Sequence, residues 1–509
     1  MVSLALVLIR MPTVVQLPVR PAGTPPPRPP QVPGRVVALA AVLVLVAAAS
    51  AGPRLLRARA AVPVPAEPPS VIVVLVDTLR ADFLGTYGFD GPVSPQIDSF
   101  AKESVQFERA FAQAPWTKPS IASLFTSLAP ETHRVLSHDG KYADGDRASH
   151  TEALPEEAAT LAESFRQAGY ATAAFVANPW LLREHGFAQG FDLFDQRQGA
   201  GLPPRASVML DAARKWIDAR PQGQPFFAYV HLMDVHGPYD APEADYDAVR
   251  ESPGLGPSRE LDDATLAQIR PYLRRTRWID GPDVRDVRTW RARYAAGVHA
   301  LDRQLGAFLA SLGKSGVLDR TLVVVTSDHG EELADNGGWD HGFRLYEHQI
   351  HVPLLVRMPG GAGGGRRVQE IVSLVDVMPS VLGQAGIAPP PAAQGRDLTP
   401  LLRGADAGPG VGASFAGGVK WNPRMQSLRA PGWKLIEDGS ASAVQVFDLT
   451  ADPTEQKNVA SSRPDERARL QKTLDGHRAA LAAKPALAQE QGAVSDEMKK
   501  RLEALGYAH

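Results

Sequence analysis

An unbroken apolar run, Val71-Ile72-Val73-Val74-Leu75-Val76, ends on Asp77. A β-branched run without polar alternation predicts a central strand covered on both faces. Similar runs at 226–230, 321–325 and 352–356 predict three more such strands. Helical periodicity lies between them, over 160–168, 290–312 and 372–382. Strands alternating with helices predict an α/β sandwich around a mostly parallel sheet. After the Gly-rich stretch 360–365 and Pro389-Pro390-Pro391 the pattern changes. Residues 419–449 read as short strands with turns, a small antiparallel sheet, and 464–507 read as helical. Residues 240–290, rich in Asp, Arg and Pro, are expected to form an insertion over the site, and no internal repeat is found. The expected division is a large α/β domain over 70–405 and a C-terminal subdomain with terminal helices over 406–509.

The N-terminal segment has a different character. Fourteen of the 44 prolines precede residue 70, a density that no packed domain tolerates. An uncharged run at 36–51 is flanked by Arg35 and Arg54, and Ala49-Ser50-Ala51 has the small-x-small form of a cleavage site. The reading is a basic Pro-rich leader (1–35), a signal or membrane-anchor segment (36–52) and a Pro-rich tether (53–69). It implies an extracytoplasmic body, in the periplasm or cell envelope, secreted or held at the membrane by that segment. Residues 1–70 hold seven arginines and one glutamate, so the net charge of −2 for all 509 residues makes the remainder acidic. An acidic body argues against a general nucleic-acid binder. The absence of cysteine excludes disulfides, zinc–thiolate sites and cysteine nucleophiles.

In such a sheet, polar chemistry collects at the carboxyl ends of the strands. Asp77 follows the first apolar run, His231 the second and Asp328-His329 the third. The segment Pro115-Trp116-Thr117-Lys118-Pro119-Ser120 precedes a helical stretch, 121–128, with Thr117 suited to the cap and Pro119 to the first turn. A hydroxyl at a helix start can attack a phosphorus or sulfur centre if its pKa is lowered. Asp77, Asp328 and His329, with Thr117 as a fourth ligand, form a mixed oxygen and nitrogen set suited to a divalent metal. His236, in His231-Leu232-Met233-Asp234-Val235-His236-Gly237, is suited to binding ester oxygens or protonating a leaving group. His231, closer to its strand, reads as a core histidine or as one that supports the site residues from behind. No P-loop, dinucleotide fingerprint or serine-hydrolase elbow occurs.

Taken together, Val76-Asp77-Thr78-Leu79-Arg80-Ala81-Asp82, Thr117-Lys118-Pro119-Ser120, Gly190-Phe191-Asp192, His236-Gly237-Pro238-Tyr239 and Ser327-Asp328-His329-Gly330-Glu331 resemble the signatures of the sulfatase family. So do Tyr346-Glu347, Val375-Asp376-Val377-Met378-Pro379 and Val446-Phe447-Asp448-Leu449, all in the family's order. The resemblance implies an alkaline-phosphatase-like fold and a metal-dependent enzyme acting on sulfate, phosphate or phosphonate esters. It also implies that Asp77, Asp328 and His329 hold metal and that Thr117 occupies the nucleophile position. His236 and His341 are then substrate contacts, and Asn178 stands roughly where relatives place a substrate-binding lysine.

The departures redirect the chemistry. Threonine cannot mature to the formylglycine that sulfatases make from Cys or Ser, and the signature arginine is Ile121 here. Asp77-Thr78 replaces paired aspartates, and Asp328-His329 replaces Asp-Asn. The swap of carboxylate for imidazole favours zinc or manganese over calcium or magnesium. A sulfated threonine lacks the route by which a formylglycine hydrate expels sulfate, whereas a phosphorylated threonine is opened by in-line attack. The expected function is therefore ester hydrolysis through a Thr117 intermediate, with phosphorus esters favoured over sulfate. The alternatives are a phosphoethanolamine-type or glycerophosphate-type transferase acting on an envelope glycan or lipid, a sulfuric ester hydrolase without formylglycine, and an inactive binding homologue.

Overall fold

A computed structural model describes residues 67–136, 150–197, 203–221, 223–269, 273, 285–404, 412–420 and 422–504. The leader, the 36–52 segment and most of the tether lie outside the described residues. Among the described residues, no helix is long and apolar enough to cross a membrane.

Eight strands form the main sheet, in the order 366–373, 105–111, 351–357, 321–326, 70–76, 226–232, 171–176 and 193–196. The strand Ser70–Val76 lies at its centre, parallel to both Phe226–Leu232 and Thr321–Thr326. His351–Arg357 is antiparallel to both its neighbours, and every other pairing in the sheet is parallel. The continuous apolar runs arise because both faces are covered. Ile72, Val74 and Val76 pack with the helices Pro95–Lys102, Ala206–Asp218 and Val287–Lys314. Val71, Val73 and Leu75 pack with Thr117–Thr126, Leu161–Gln167 and Val377–Gln384. Each side chain so buried contributes ~1.5–3 kcal/mol of transfer free energy.

A second, antiparallel sheet runs 414–416, 425–430, 433–438 and 443–448. One face packs Leu428, Leu435 and Val446 against Leu470 and Leu474 of the helix Pro464–Ala482. The other sends Ile436 and Phe447 into the core of the main sheet. A buried ion cluster joins the two: Lys434 Nζ lies 3.0 Å from both Glu347 Oε1 and Glu455 Oε1, and Arg429 Nε lies 3.2 Å from Glu347 Oε2. Burial works to raise the Glu347 pKa, but Lys434 and Arg429 outweigh it and hold the group down to about 2. Glu455 shares the same lysine without the arginine, and burial raises it. A group with a depressed folded pKa contributes stability above its ordinary range and loses it as pH falls. Glu347 therefore withdraws support as pH drops from the usual glutamate range toward about 2. Lys434→Met, which leaves buried Glu455 without a cation and Glu347 with Arg429 alone, is expected to cost about 3–5 kcal/mol in denaturant unfolding at neutral pH.

Two sequence expectations are corrected. The 372–382 segment is not helical throughout, because 366–373 pairs at the sheet edge before the helix Val377–Gln384 begins. The 464–507 segment is interrupted by the strand Glu490–Ala493, which pairs with His150–Ala153. Part of the 240–290 segment lies outside the described residues; within the rest, the short helix Glu243–Val249 pairs with the helix Val287–Lys314 through Asp245 to His299 and Arg303.

Candidate active site

Four adjacent parallel strands, 321–326, 70–76, 226–232 and 171–176, deliver polar residues to one end of the sheet. Asp77 follows the central strand, Asp328 and His329 follow 321–326, and Asn178 follows 171–176. His231 lies within its strand rather than after it, and its Nε2 is 3.6 Å from Asp77 Oδ2. Burial pushes the His231 pKa down to about 3, so the ring is neutral. The turn after the central strand is sharp: Thr78 has φ 59, and its N–H donates to Asp328 Oδ1 at 3.3 Å. Ser327 and Ser120 hold the facing turn, Ser327 Oγ donating to the His329 carbonyl and Ser120 Oγ to the Asp328 carbonyl, both at 2.6 Å.

Thr117 is not the cap of its helix. Trp116, extended at φ −155 and ψ 161, stands in that position, and Thr117 is the first helical residue. Its hydroxyl is therefore not spent on the helix. Oγ1 lies 3.4 Å from Asp77 Oδ2 and 3.4 Å from His329 Nε2, and Asn178 Nδ2 approaches it at 3.4 Å while donating to Asp77 Oδ2 at 2.6 Å. Asn178 is held in turn by Trp180 N, which donates to its Oδ1 at 2.8 Å.

The arrangement beneath Thr117 fits a cation. His329 Nδ1 is 2.9 Å from the Gly330 carbonyl, which only accepts, so Nδ1 carries the proton and Nε2 presents a lone pair. That nitrogen faces Asp328 Oδ2 at 3.4 Å and Asp77 Oδ1 at 3.7 Å. Both oxygens are buried and accept no hydrogen bond from the protein. Three acceptors converge with no donor between them, an arrangement that a divalent ion satisfies. Burial, reinforced by Asp77, raises the Asp328 pKa well above the usual range; burial, reinforced by His341, lowers that of His329.

Two further histidines border this group. The rings of His329 and His341 are 4.5 Å apart, and those of His236 and His341 5.1 Å. Burial lowers the His236 pKa, and its Nδ1 donates to the Gly237 carbonyl at 2.6 Å. His341 is the opposite case. Its Nδ1 sits 3.1 Å from Glu331 Oε1 and 3.0 Å from Asp340 Oδ1. Burial works against its charge, but Asp340 and Glu331 prevail and raise its pKa to about 10. The seven residues singled out from sequence thus come together, along with His231. Glu331 and Asp340 were missed as partners of His341, although Glu331 stands inside a quoted motif and Asp340 directly precedes His341 in the chain. Lys118, next to Thr117, turns its Nζ to Thr151 Oγ1 at 2.7 Å, and burial lowers its pKa to about 7.

Comparison with known proteins gives a consistent picture. A family model described as "Sulfatase" matches residues 69–387, and one described as "N-sulphoglucosamine sulphohydrolase, C-terminal" matches 335–483. Arylsulfatase K of Mus musculus is 27% identical over 480 residues, covering 84% of this chain and 82% of that protein. Steryl-sulfatase of Mus musculus is 31% identical over 423 residues, covering 68% and 67%. Among solved structures, the phosphonate monoester hydrolase of Agrobacterium radiobacter superposes with a TM-score of 0.66 at 23% identity, covering 81% of this chain and 96% of that one. A structure in complex with its substrate D-glucosamine-2-N,6-O-disulfate gives 0.63 at 20%, covering 82% and 99%. These two likenesses concern the fold.

Proposed function

The chain belongs to the sulfatase family, and we propose that it is a metal-dependent ester hydrolase in which Thr117 carries the transferred group covalently, with phosphorus esters preferred. The observation that carries this reading is the Thr117 hydroxyl, free of any capping duty and 3.4 Å from both Asp77 Oδ2 and His329 Nε2. When bound by Asp77, Asp328 and His329, a divalent cation supplies the charge that lowers the hydroxyl pKa and offsets the ester's anionic oxygens. Zinc or manganese suits the imidazole-containing set better than calcium or magnesium.

The chain's own residues perform the remainder. Asn178 and the helix start orient Thr117 Oγ1 toward the phosphorus; its proton passes to Asp77 Oδ2, the oxygen it already faces, as Oγ1 bonds to phosphorus and the bond to the leaving oxygen breaks. His341, kept cationic by Glu331 and Asp340, supplies charge stabilisation or a proton to that departing oxygen. His236, with Nδ1 committed to the Gly237 carbonyl, presents its other nitrogen as an acceptor for a proton from attacking water. That water displaces the group from Thr117 Oγ1, which takes its proton back from Asp77 Oδ2, so the hydroxyl is regenerated. In-line attack opens a phosphothreonine readily, whereas a sulfated threonine lacks the internal expulsion available to an aldehyde hydrate.

A second reading, sulfate ester hydrolysis by the same residues, is supported by the relatives, which include arylsulfatases, a steryl-sulfatase and a choline-sulfatase. A panel of aryl sulfate, phosphate monoester, phosphodiester and phosphonate, assayed with zinc or manganese add-back, separates the two. The expected result is kcat/KM at least about tenfold higher for a phosphorus ester than for the sulfate. Dominant sulfate turnover reverses the preference while leaving the nucleophile assignment standing. The basic leader and apolar 36–51 run support an extracytoplasmic location for this activity.

A further inference from the structure

The reaction proposed above depends on where Asn178 stands, because its Nδ2 lies 2.6 Å from Asp77 Oδ2 and 3.4 Å from Thr117 Oγ1. Asn178 sits on a turn, past the end of the strand Ala171–Val176, and the turn runs on to Arg183–His185. A turn residue keeps a catalytic geometry only if packing and hydrogen bonds fix the turn itself. Part of that support is local: Trp180 N donates to Asn178 Oδ1 at 2.8 Å, and Leu181 N to the Asn178 carbonyl at 3.3 Å. The far end of the turn is held from outside, through His185.

His185 is buried, and its ring is wedged between the turn and a segment 308 residues further along the chain. Nδ1 lies 3.3 Å from the Trp180 carbonyl, and Nε2 lies 3.0 Å from the Ala493 carbonyl. Both carbonyls only accept, so a neutral ring donates to one and rests against the other. Ala493 belongs to the strand Glu490–Ala493, which passes close over the ring. A side chain on Gly492 would meet His185 Cδ2 at 2.2 Å and the Glu184 carbonyl oxygen at 2.9 Å, so glycine alone leaves the ring its place. The partner strand, His150–Ala153, is tied to the same region. Leu154 N donates to the His185 carbonyl at 2.9 Å, and Thr151, opposite Gly492, accepts from Lys118 Nζ at 2.7 Å. The two-stranded sheet thus grips the turn of Asn178 through His185, and the helix start through the residue after Thr117.

Resting on the ester-hydrolase reading above, we propose that His185 is a positioning residue: braced on the strand Glu490–Ala493, it fixes the turn that carries Asn178 and, through Asn178, the direction in which Thr117 Oγ1 attacks. It makes and breaks no bond itself. A misplacement of about 1 Å in the attacking geometry costs about 10²-fold in rate. Ground-state binding by the metal set and His341 is left in place, so the loss falls on kcat.

The test uses the full chain with its metal. KM and kcat on p-nitrophenyl phosphate and p-nitrophenyl sulfate are measured in wild type, Gly492→Ala, His185→Ala and the double variant, beside hydrogen exchange of the 178–187 amides. Gly492→Ala alters the strand alone and forces the ring off it. Each single variant is expected to lose about 10- to 100-fold in kcat with KM little changed, and to exchange those amides faster than wild type. Both act through one contact, so the double variant should lose no more than the worse single variant. His185→Gln, which keeps an amide donor for one carbonyl, is expected to recover part of the loss and keeps the test valid if His185→Ala does not fold. Unchanged kcat in the folded single variants, losses that multiply in the double variant, or a lower melting temperature alone overturns the inference and leaves a packing histidine. A wild type that turns over neither ester overturns the hydrolase reading itself, and the positioning role with it.

Discussion

Thr117→Ala is expected to lower kcat/KM by at least about 10³-fold on every ester the wild type accepts, because it deletes the group that receives the transferred moiety. The variant should fold normally. Thr117 makes no capping bond, and Asn178 Nδ2 keeps its 2.6 Å bond to Asp77 Oδ2 when the hydroxyl is gone. Equal melting temperatures beside that kinetic loss separate a chemical role from a structural one. Thr117→Ser, which restores a hydroxyl on a smaller side chain, should recover a measurable part of the rate.

Removal of the metal is the second large effect. Chelation should abolish turnover, and zinc or manganese should restore it. The thermal response carries more information. Without a cation, Asp77 and Asp328 converge on a neutral imidazole nitrogen, and the Asp328 pKa is raised by burial and then by Asp77. A carboxyl whose folded pKa exceeds its unfolded value stabilises the fold below the ordinary aspartate range and loses that contribution as pH climbs toward the folded pKa. The apo protein should therefore lose stability from this group as pH rises, and saturating metal should remove that trend. Metal at about 1,000 times its Kd adds about 4 kcal/mol, visible as a higher melting temperature. Asp328→Asn sharpens the test. The amide oxygen can still accept from His329 N and Thr78 N, now bonded to Asp328 Oδ1 at 3.0 and 3.3 Å, but it brings no charge. The variant should melt higher than wild type in the apo state at neutral pH, bind metal at least about 100-fold more weakly and show little activity.

What the sequence revealed follows from how each residue is held. Val71 to Val76 and Thr321 to Val325 were legible as strands because both faces are covered, which leaves no alternation to confuse with a helix. Asp77, Asp328 and His329 were legible because they follow such runs directly. Strand direction was not: His351–Arg357 is as apolar as its neighbours, and only pairing makes it antiparallel. Glu490–Ala493 has no strand-forming composition, and its extended shape comes from its partner, His150–Ala153. The Thr117 cap was misjudged because side-chain type suggests a cap, whereas Asp77, His329 and Asn178 compete for the same hydroxyl.

The central claim is that the transferred group rests on Thr117. Wild-type enzyme quenched during turnover of p-nitrophenyl phosphate, then digested and mapped by mass spectrometry, tests it most directly. The account predicts a phosphoryl group on Thr117 in the peptide containing Trp116-Thr117-Lys118, and none in Thr117→Ala. A phosphoryl group found on another residue of the active enzyme, or full turnover by Thr117→Ala, would contradict it.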